Sequence, residues 1–217
     1  MDNAETDNLL VLLGRGLAEL DVSLAPEFAP QAVKFMLELA KWNKSYNLTA
    51  VRDPVKMVSL HILDSIVLQP FLNNEMQQIL DVGSGGGLPG IPLALAFPEK
   101  KFLLLDSNGK KTRFLSHIKM TLGLSNVEVV QSRVEDFAGE FDLITCRAFA
   151  SLVDIAVGFE HLVRDKGSIF AMKSKDETLE DGTSDIYFDS AHSLNVPGIE
   201  APRHLIVLKK GVVLRKR

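Results

Sequence analysis

The chain has 217 residues, with 24 Lys+Arg against 28 Asp+Glu, 46% hydrophobic residues and a single Cys. That apolar fraction at a net charge of −4 excludes a disordered chain, and the unpaired Cys146 excludes a disulfide scaffold. The acidic start Met1-Asp2-Asn3-Ala4-Glu5 lacks the cationic-then-apolar order of a secretory leader, and no apolar run approaches the ~20 residues of a membrane helix. The expectation is a soluble, cytoplasmic, globular protein with no membrane association. Charge is uneven along it. Residues 1–31 hold six acids and one cation, Arg15, whereas residues 201–217 hold six cations and no acid, a pattern open to local contact with a polyanion.

The first third reads as helical. Leu9 to Leu20 is apolar at helical spacing; a second stretch begins near Pro30, with Ala32, Phe35, Met36 and Leu39 on one face. Asp53-Pro54 marks a third helix start, Asp as N-cap and Pro in the first turn, with Val55, Val58, Ile62 and Ile66 as its buried stripe. In the linker between them, Trp42 and Tyr46 are expected to anchor the core rather than to stack on bases. Residues 1–72 are therefore read as a helical extension packed on a second unit, 73–217.

From residue 79 short apolar runs alternate with helical segments: Ile79–Val82, Phe102–Leu105, Val127–Val130, Phe141–Thr145 and Ser168–Met172. Each of the first four is expected to be followed by a crossover helix, giving βαβ units and a parallel sheet covered on both faces. Ile186–Val196 and His204–Leu208 are too close for a crossover and should form an antiparallel hairpin. The fold class is α/β.

The most informative string is Leu80-Asp81-Val82-Gly83-Ser84-Gly85-Gly86-Gly87-Leu88-Pro89-Gly90, where the first strand should turn into its helix. Glycines there, Gly83 and Gly85 first among them, let the backbone pass close to a ligand. Gly85 to Gly90 spells the dinucleotide fingerprint GxGxxG, but Pro89 and Pro92 crowd a helix start that a pyrophosphate would need as free amides. Asp81 is positioned to reach over the loop toward a cationic or amine-bearing ligand. Asp106, ending the second strand, would accept hydrogen bonds from ribose hydroxyls. After the third strand, Glu135 or Asp136 would meet the exocyclic amine of an adenine. Loop, strand-two acid and post-strand-three acid together suit S-adenosylmethionine better than NAD, and the sequence looks like a class I methyltransferase with a Rossmann-like sheet.

Asp81-Val82-Gly83-Ser84-Gly85, Leu88-Pro89-Gly90-Ile91-Pro92-Leu93, Leu105-Asp106-Ser107, Gly109-Lys110-Lys111, Arg113-Phe114-Leu115 and Arg147-Ala148-Phe149-Ala150-Ser151-Leu152 narrow this. With Trp42-Asn43, Asn47-Leu48-Thr49-Ala50, His61, Leu63-Asp64-Ser65 and Arg203-His204-Leu205-Ile206-Val207, they are similar to the RsmG (GidB) family. The resemblance implies an S-adenosylmethionine-dependent methyltransferase acting on N7 of a guanine in 16S ribosomal RNA, with the RNA or a small-subunit particle as partner. It places cofactor contacts on Gly83, Leu88, Val134, Glu135 and Arg147. Guanine N7 carries a free lone pair at neutral pH, so no catalytic base is nominated.

For substrate contact the cations in reach are Arg147, Lys173, Lys110, Lys111 and Arg113, the last three opening a helix where acids are usual. His61, Asp64 and Ser65 share a helical face and are set to close over the site, though a structural hydrogen bond is the reading for the pair and no metal is expected. A monomer is expected. The rival readings are an NAD-dependent oxidoreductase, a methyltransferase acting on a small molecule or protein, and a non-catalytic RNA-binding module.

Overall fold

Strict alternation along the strands divides the apolar residues into two layers. Ile79, Phe102, Leu104, Val127, Leu143, Phe170 and Leu205 face one side of the sheet, and Leu80, Leu105, Ile144, Ile169 and Ile206 face the other. The computed structural model describes residues 3–147, 151–175, 177–179 and 184–211. The family-like string Ala148-Phe149-Ala150 and the cations Arg215, Lys216 and Arg217 lie outside them.

Seven strands form one sheet in the order β3-β2-β1-β4-β5-β7-β6. β1 (Gln78–Val82), β2 (Lys101–Asp106), β3 (Val127–Gln131), β4 (Phe141–Arg147) and β5 (Val163–Lys173) are parallel; β7 (His204–Lys210) runs antiparallel to both β5 and β6 (Ile186–Ser193). The closing hairpin is as expected, with its later strand inserted against β5. The first layer is covered by α1 (Asn3–Glu19), α2 (Phe28–Tyr46), α5 (Gly90–Ala96) and α6 (Gly109–Leu122), the second by α7 (Leu152–Phe159).

Two expectations fail for physical reasons. The β3–β4 connection holds no crossover helix, only a 3-10 turn at Val134–Asp136. Residues 132–140 are too few for a crossover helix together with its connecting turns, yet extended at about 3.3 Å per residue they span the two intervening strands. Val55 is 47% exposed and does not belong to a buried stripe. Asp53 does cap α3 (Pro54–Met57), accepting from the Val55 N–H at 2.9 Å. The helix then widens to a π segment, Val58–Leu63, before α4 (Asp64–Ile66), and the Asp64 N–H reaches back to the Ser59 carbonyl. The rest of the expected stripe, Val58, Ile62 and Ile66, stays buried with Met57 and Leu63, and Val55, in the first turn of α3, is the one that faces out.

The helices and the sheet share one hydrophobic core. Phe114 of α6 is fully buried between Phe35 and Trp42 of α2, ring centroids 6.4 and 5.6 Å away, and Trp42 stacks on Tyr46 at 5.3 Å. The aromatics therefore anchor the core, as read. Asn43, also buried, fixes the following linker: its amide donates to the Thr49 and Val51 carbonyls, and its oxygen accepts from the Thr49 N–H. Phe114→Ala should cost about 3–5 kcal/mol by emptying this junction. Urea unfolding should still show one transition for the helices and the sheet.

Candidate functional site

The loop after β1 adopts a conformation that a branched residue resists. Gly83 and Gly85 have φ of 68° and 58°, in the left-handed region. The Gly83 and Ser84 N–H groups donate to the Leu105 carbonyl at 2.8 and 3.1 Å, tying the loop to the end of β2. The Gly85 N–H donates to Asp106 Oδ2 at 2.9 Å. Asp106 Oδ1 accepts from the Asn108 N–H at 2.9 Å, and Lys111 Nζ lies 3.5 Å from Oδ2. Asp106 is thus both the acid at the strand end and a brace for the glycine loop.

Asp81 does not face a ligand, contrary to the expectation from its place before the glycines. It is 1% exposed, accepting from the Thr145 hydroxyl at 3.0 Å and the Gly90 N–H at 3.2 Å. Burial pushes its carboxyl up to about 6, against the pull of the hydrogen bonds. The start of α5 presents no row of free amides: Pro89 and Pro92 have none, Gly90 donates to Asp81 and Ile91 to the Gly87 carbonyl at 2.8 Å. Leu88 is buried in the core, 6% exposed, and its side chain is not on the cavity wall.

A cavity of about 380 Å³ opens beside this loop at the carboxyl ends of the strands. Gly83, Asp106, Val134, Glu135 and Arg147 line it, with Lys111 and Arg133 at its sides. Ligands in open α/β sheets bind at this edge, where the strand order reverses between β1 and β4. A larger groove of about 680 Å³ lies at the other end of β5, but charges within it pair with one another, Arg164 with Asp142 and Lys209 with Asp189.

The remaining residues divide sharply. Arg147 is not an open rim cation: Nη1 donates to Asp64 Oδ2 at 2.9 Å and to the Leu60 carbonyl at 3.2 Å. Asp64, 3% exposed, also accepts from Arg203 Nε at 3.0 Å, a partner 139 positions away that no local pattern assigns to it. His61 does not pair with Asp64. Its Nδ1 lies 2.7 Å from the Leu60 carbonyl and its Nε2 2.9 Å from the Thr49 hydroxyl, the structural role expected of it. Burial holds its pKa down at about 4, so it is neutral near pH 7 and offers no charge to a phosphate. Lys173 pairs with Glu177 at 3.2 Å and is 10% exposed. Lys110 and Arg113 are exposed on the first turn of α6, where Asn108 supplies the cap by accepting from the Lys110 N–H. Cys146 is buried, its thiol pushed up to about 12 chiefly by desolvation, and is chemically quiet.

The sheet order, the glycine loop and the cavity at the switch point together define a class I methyltransferase fold. Among solved structures it resembles an S-adenosylmethionine-dependent methyltransferase from Aquifex aeolicus, with a TM-score of 0.54 at 15% identity, covering 78% of this chain and 97% of that one. It also resembles TrmN from Thermus thermophilus, with a TM-score of 0.51 at 18% identity, covering 77% and 53%. At those identities the likeness is one of fold. The family described as rRNA small subunit methyltransferase G (GidB) matches residues 29–206. Curated relatives named Ribosomal RNA small subunit methyltransferase G are 48% identical in Stutzerimonas stutzeri and 49% identical in Pseudomonas aeruginosa, each over 202 residues, covering 91% of this chain and 94% of the relative. The chain belongs to the rRNA small subunit methyltransferase G family.

Asp81 and His61 titrate in opposite senses over the same range. Asp81, with its folded pKa raised, contributes stability that is full below about pH 4 and is lost as pH rises through about 6; His61, with its folded pKa depressed, contributes stability present above about 6.5 and lost as pH falls toward 4. In Asp81→Asn only the second slope remains. Relative to the wild type, the variant should lose about 2–3 kcal/mol between pH 6.5 and 4. Urea midpoints measured across that range check the sign.

Proposed function

We propose that the protein transfers a methyl group from S-adenosylmethionine to N7 of a guanine in 16S ribosomal RNA, in the cytoplasm. The observation that carries the cofactor half of this reading is the cavity beside the glycine loop: it is flanked by acids at two strand ends, and the neighbouring helix start has no amides left for a pyrophosphate. An NAD-dependent activity would need those amides. A bound adenosyl group fits the donor and acceptor chemistry of the wall. A carboxylate has about four lone-pair positions, so Asp106 retains capacity for ribose hydroxyls after serving Gly85 and Asn108. Glu135, exposed at the rim, accepts from an exocyclic amine, while the backbone at Gly83 lets the ligand approach closely. Arg147 takes an anionic group where cofactor and substrate meet. Residues 1–72 serve as a helical extension whose linker backs the loop: the Leu48 carbonyl lies against Gly86.

The bound cofactor supplies an electrophilic sulfonium methyl. Guanine N7 is an acceptor on the major-groove edge with its lone pair free, so the chain need hold no proton-abstracting group at that atom. Its residues act by alignment and exclusion of water. Membership in the family supports ribosomal RNA as the substrate class. Among the cations near the cavity, Lys110 and Arg113 remain open for phosphate contact, and Lys111 is braced on Asp106.

Incubating the purified protein with S-adenosylmethionine and 16S RNA or small-subunit particles, then mapping 7-methylguanosine, tests the whole reading; no new modified guanine sinks it. Gly83→Val should remain folded and lose cofactor binding, since a β-branched residue resists positive φ and fills the approach. Retained affinity by calorimetry would mean the loop does not hold the ligand.

Lys110→Gln and Arg113→Gln should each flatten the slope of log RNA affinity against log salt by about 0.7–0.9 and leave cofactor affinity unchanged. A slope untouched by both would remove this edge of α6 from the RNA surface.

A further inference from the structure

Three segments far apart in sequence meet at one nearly buried carboxylate. Asp64 of the helical extension is 4% exposed at its side chain and lies between Arg147 at the end of β4 and Arg203 just before β7, whose side chains are 23% and 22% exposed. A carboxylate paired with Arg147 alone would cancel the charge that this arginine brings to the cavity. With Arg203 on the other oxygen the cluster keeps a net charge of +1. The bonding of Arg147 is also one-sided: both of its hydrogen bonds, to Asp64 and to the Leu60 carbonyl of the π segment, leave from Nη1. A guanidinium carries five N–H donors in a rigid fork, so the Nη2 and Nε donors remain for a ligand. Fixing one nitrogen of a planar fork fixes the plane of the rest.

We infer that Asp64, supported by Arg203, is a positioning residue: it orients Arg147 so that the open side of the guanidinium receives the carboxylate of the methionine moiety of the cofactor. This rests on the reading of the cavity as the S-adenosylmethionine site. It assigns Asp64 a task other than closing over the substrate, and gives the helical extension a direct hand in cofactor capture. Positioning and plain electrostatics predict opposite signs. Removing the Asp64 charge raises the local positive charge and, by Coulomb attraction alone, would tighten binding of a carboxylate. Loss of orientation weakens it.

The test is a double-mutant cycle on the full-length protein, reading S-adenosylmethionine affinity by calorimetry. Arg147→Ala leaves Asp64 paired with Arg203, and Asp64→Asn leaves two arginines that are partly hydrated, so neither change strands a buried charge. Asp64→Asn should bind the cofactor about tenfold more weakly, with an unchanged KM for RNA. In the Arg147→Ala background the same substitution should have no further effect, a non-additivity that a merely structural role would not produce. Unchanged or tighter binding by Asp64→Asn, additive losses, or an effect confined to the KM for RNA would each overturn the inference. If Asp64→Asn does not fold, Arg203→Gln carries the same test: about threefold weaker binding is expected, abolished when Arg147 is Ala, and unchanged affinity overturns it. A wild-type protein that binds no S-adenosylmethionine overturns the underlying reading as well; wild-type binding unaffected by these variants overturns this inference alone.

Discussion

A single carboxylate sealed inside the protein, that of Asp81, joins the parts from which the cavity is built. It lies one residue before the end of β1, receives the hydroxyl of Thr145 from β4, and holds the first amide of α5. Keeping an acid there has a cost, visible in its raised pKa, because burial disfavours charge. What the cost secures is registration. The strand that leads into the loop, the helix that leaves it and the strand across the topological switch are fixed to a common point. A second acid, Asp106, then sets the height of the loop through the Gly85 amide. The cavity wall is the exposed face of this buried arrangement.

The extension takes part in the same construction. Asn43 folds the linker so that the Leu48 carbonyl backs the loop at Gly86, while the Thr49 hydroxyl meets His61. His61 in turn stands beside the Leu60 carbonyl that receives Arg147. The aromatic junction of Phe35, Trp42 and Phe114 presses α2 onto α6, the helix whose first turn carries Lys111 to the cavity wall.

Much of this was legible locally. Strand positions, the closing hairpin, the Asp53 cap and the glycine loop depend on neighbours a few residues away, and the apolar period and turn residues record them. What could not be read depends on partners brought together only by the fold. Asp81 looked like a ligand contact because Thr145, 64 positions on, cannot be assigned to it from the chain. Arg147 stands among uncharged sequence neighbours, and its partner Asp64 lies 83 positions back. The π turn through Val58–Leu63 is announced by no simple period. Glu135 lies on the cavity wall, although the segment carrying it makes a 3-10 turn and not the expected helix.

The strand order at the far edge of the sheet bears on how the molecule is made. Among the described residues β6 pairs with β7 alone, and β7 sits between it and β5, though β6 precedes it in the chain. With no other described strand beside it, β6 cannot join the sheet until β7, later in the chain, is in place. Without β7 its backbone donors and acceptors would have no partner in the sheet, and Ile186, almost fully buried in the fold, would lose its cover. The arrival of β7 satisfies two strand edges in one step and brings Arg203 to Asp64, 139 positions back. The described sheet is thus closed by a strand that lies between the two that precede it in the chain, so its outer edge depends on the last of the three.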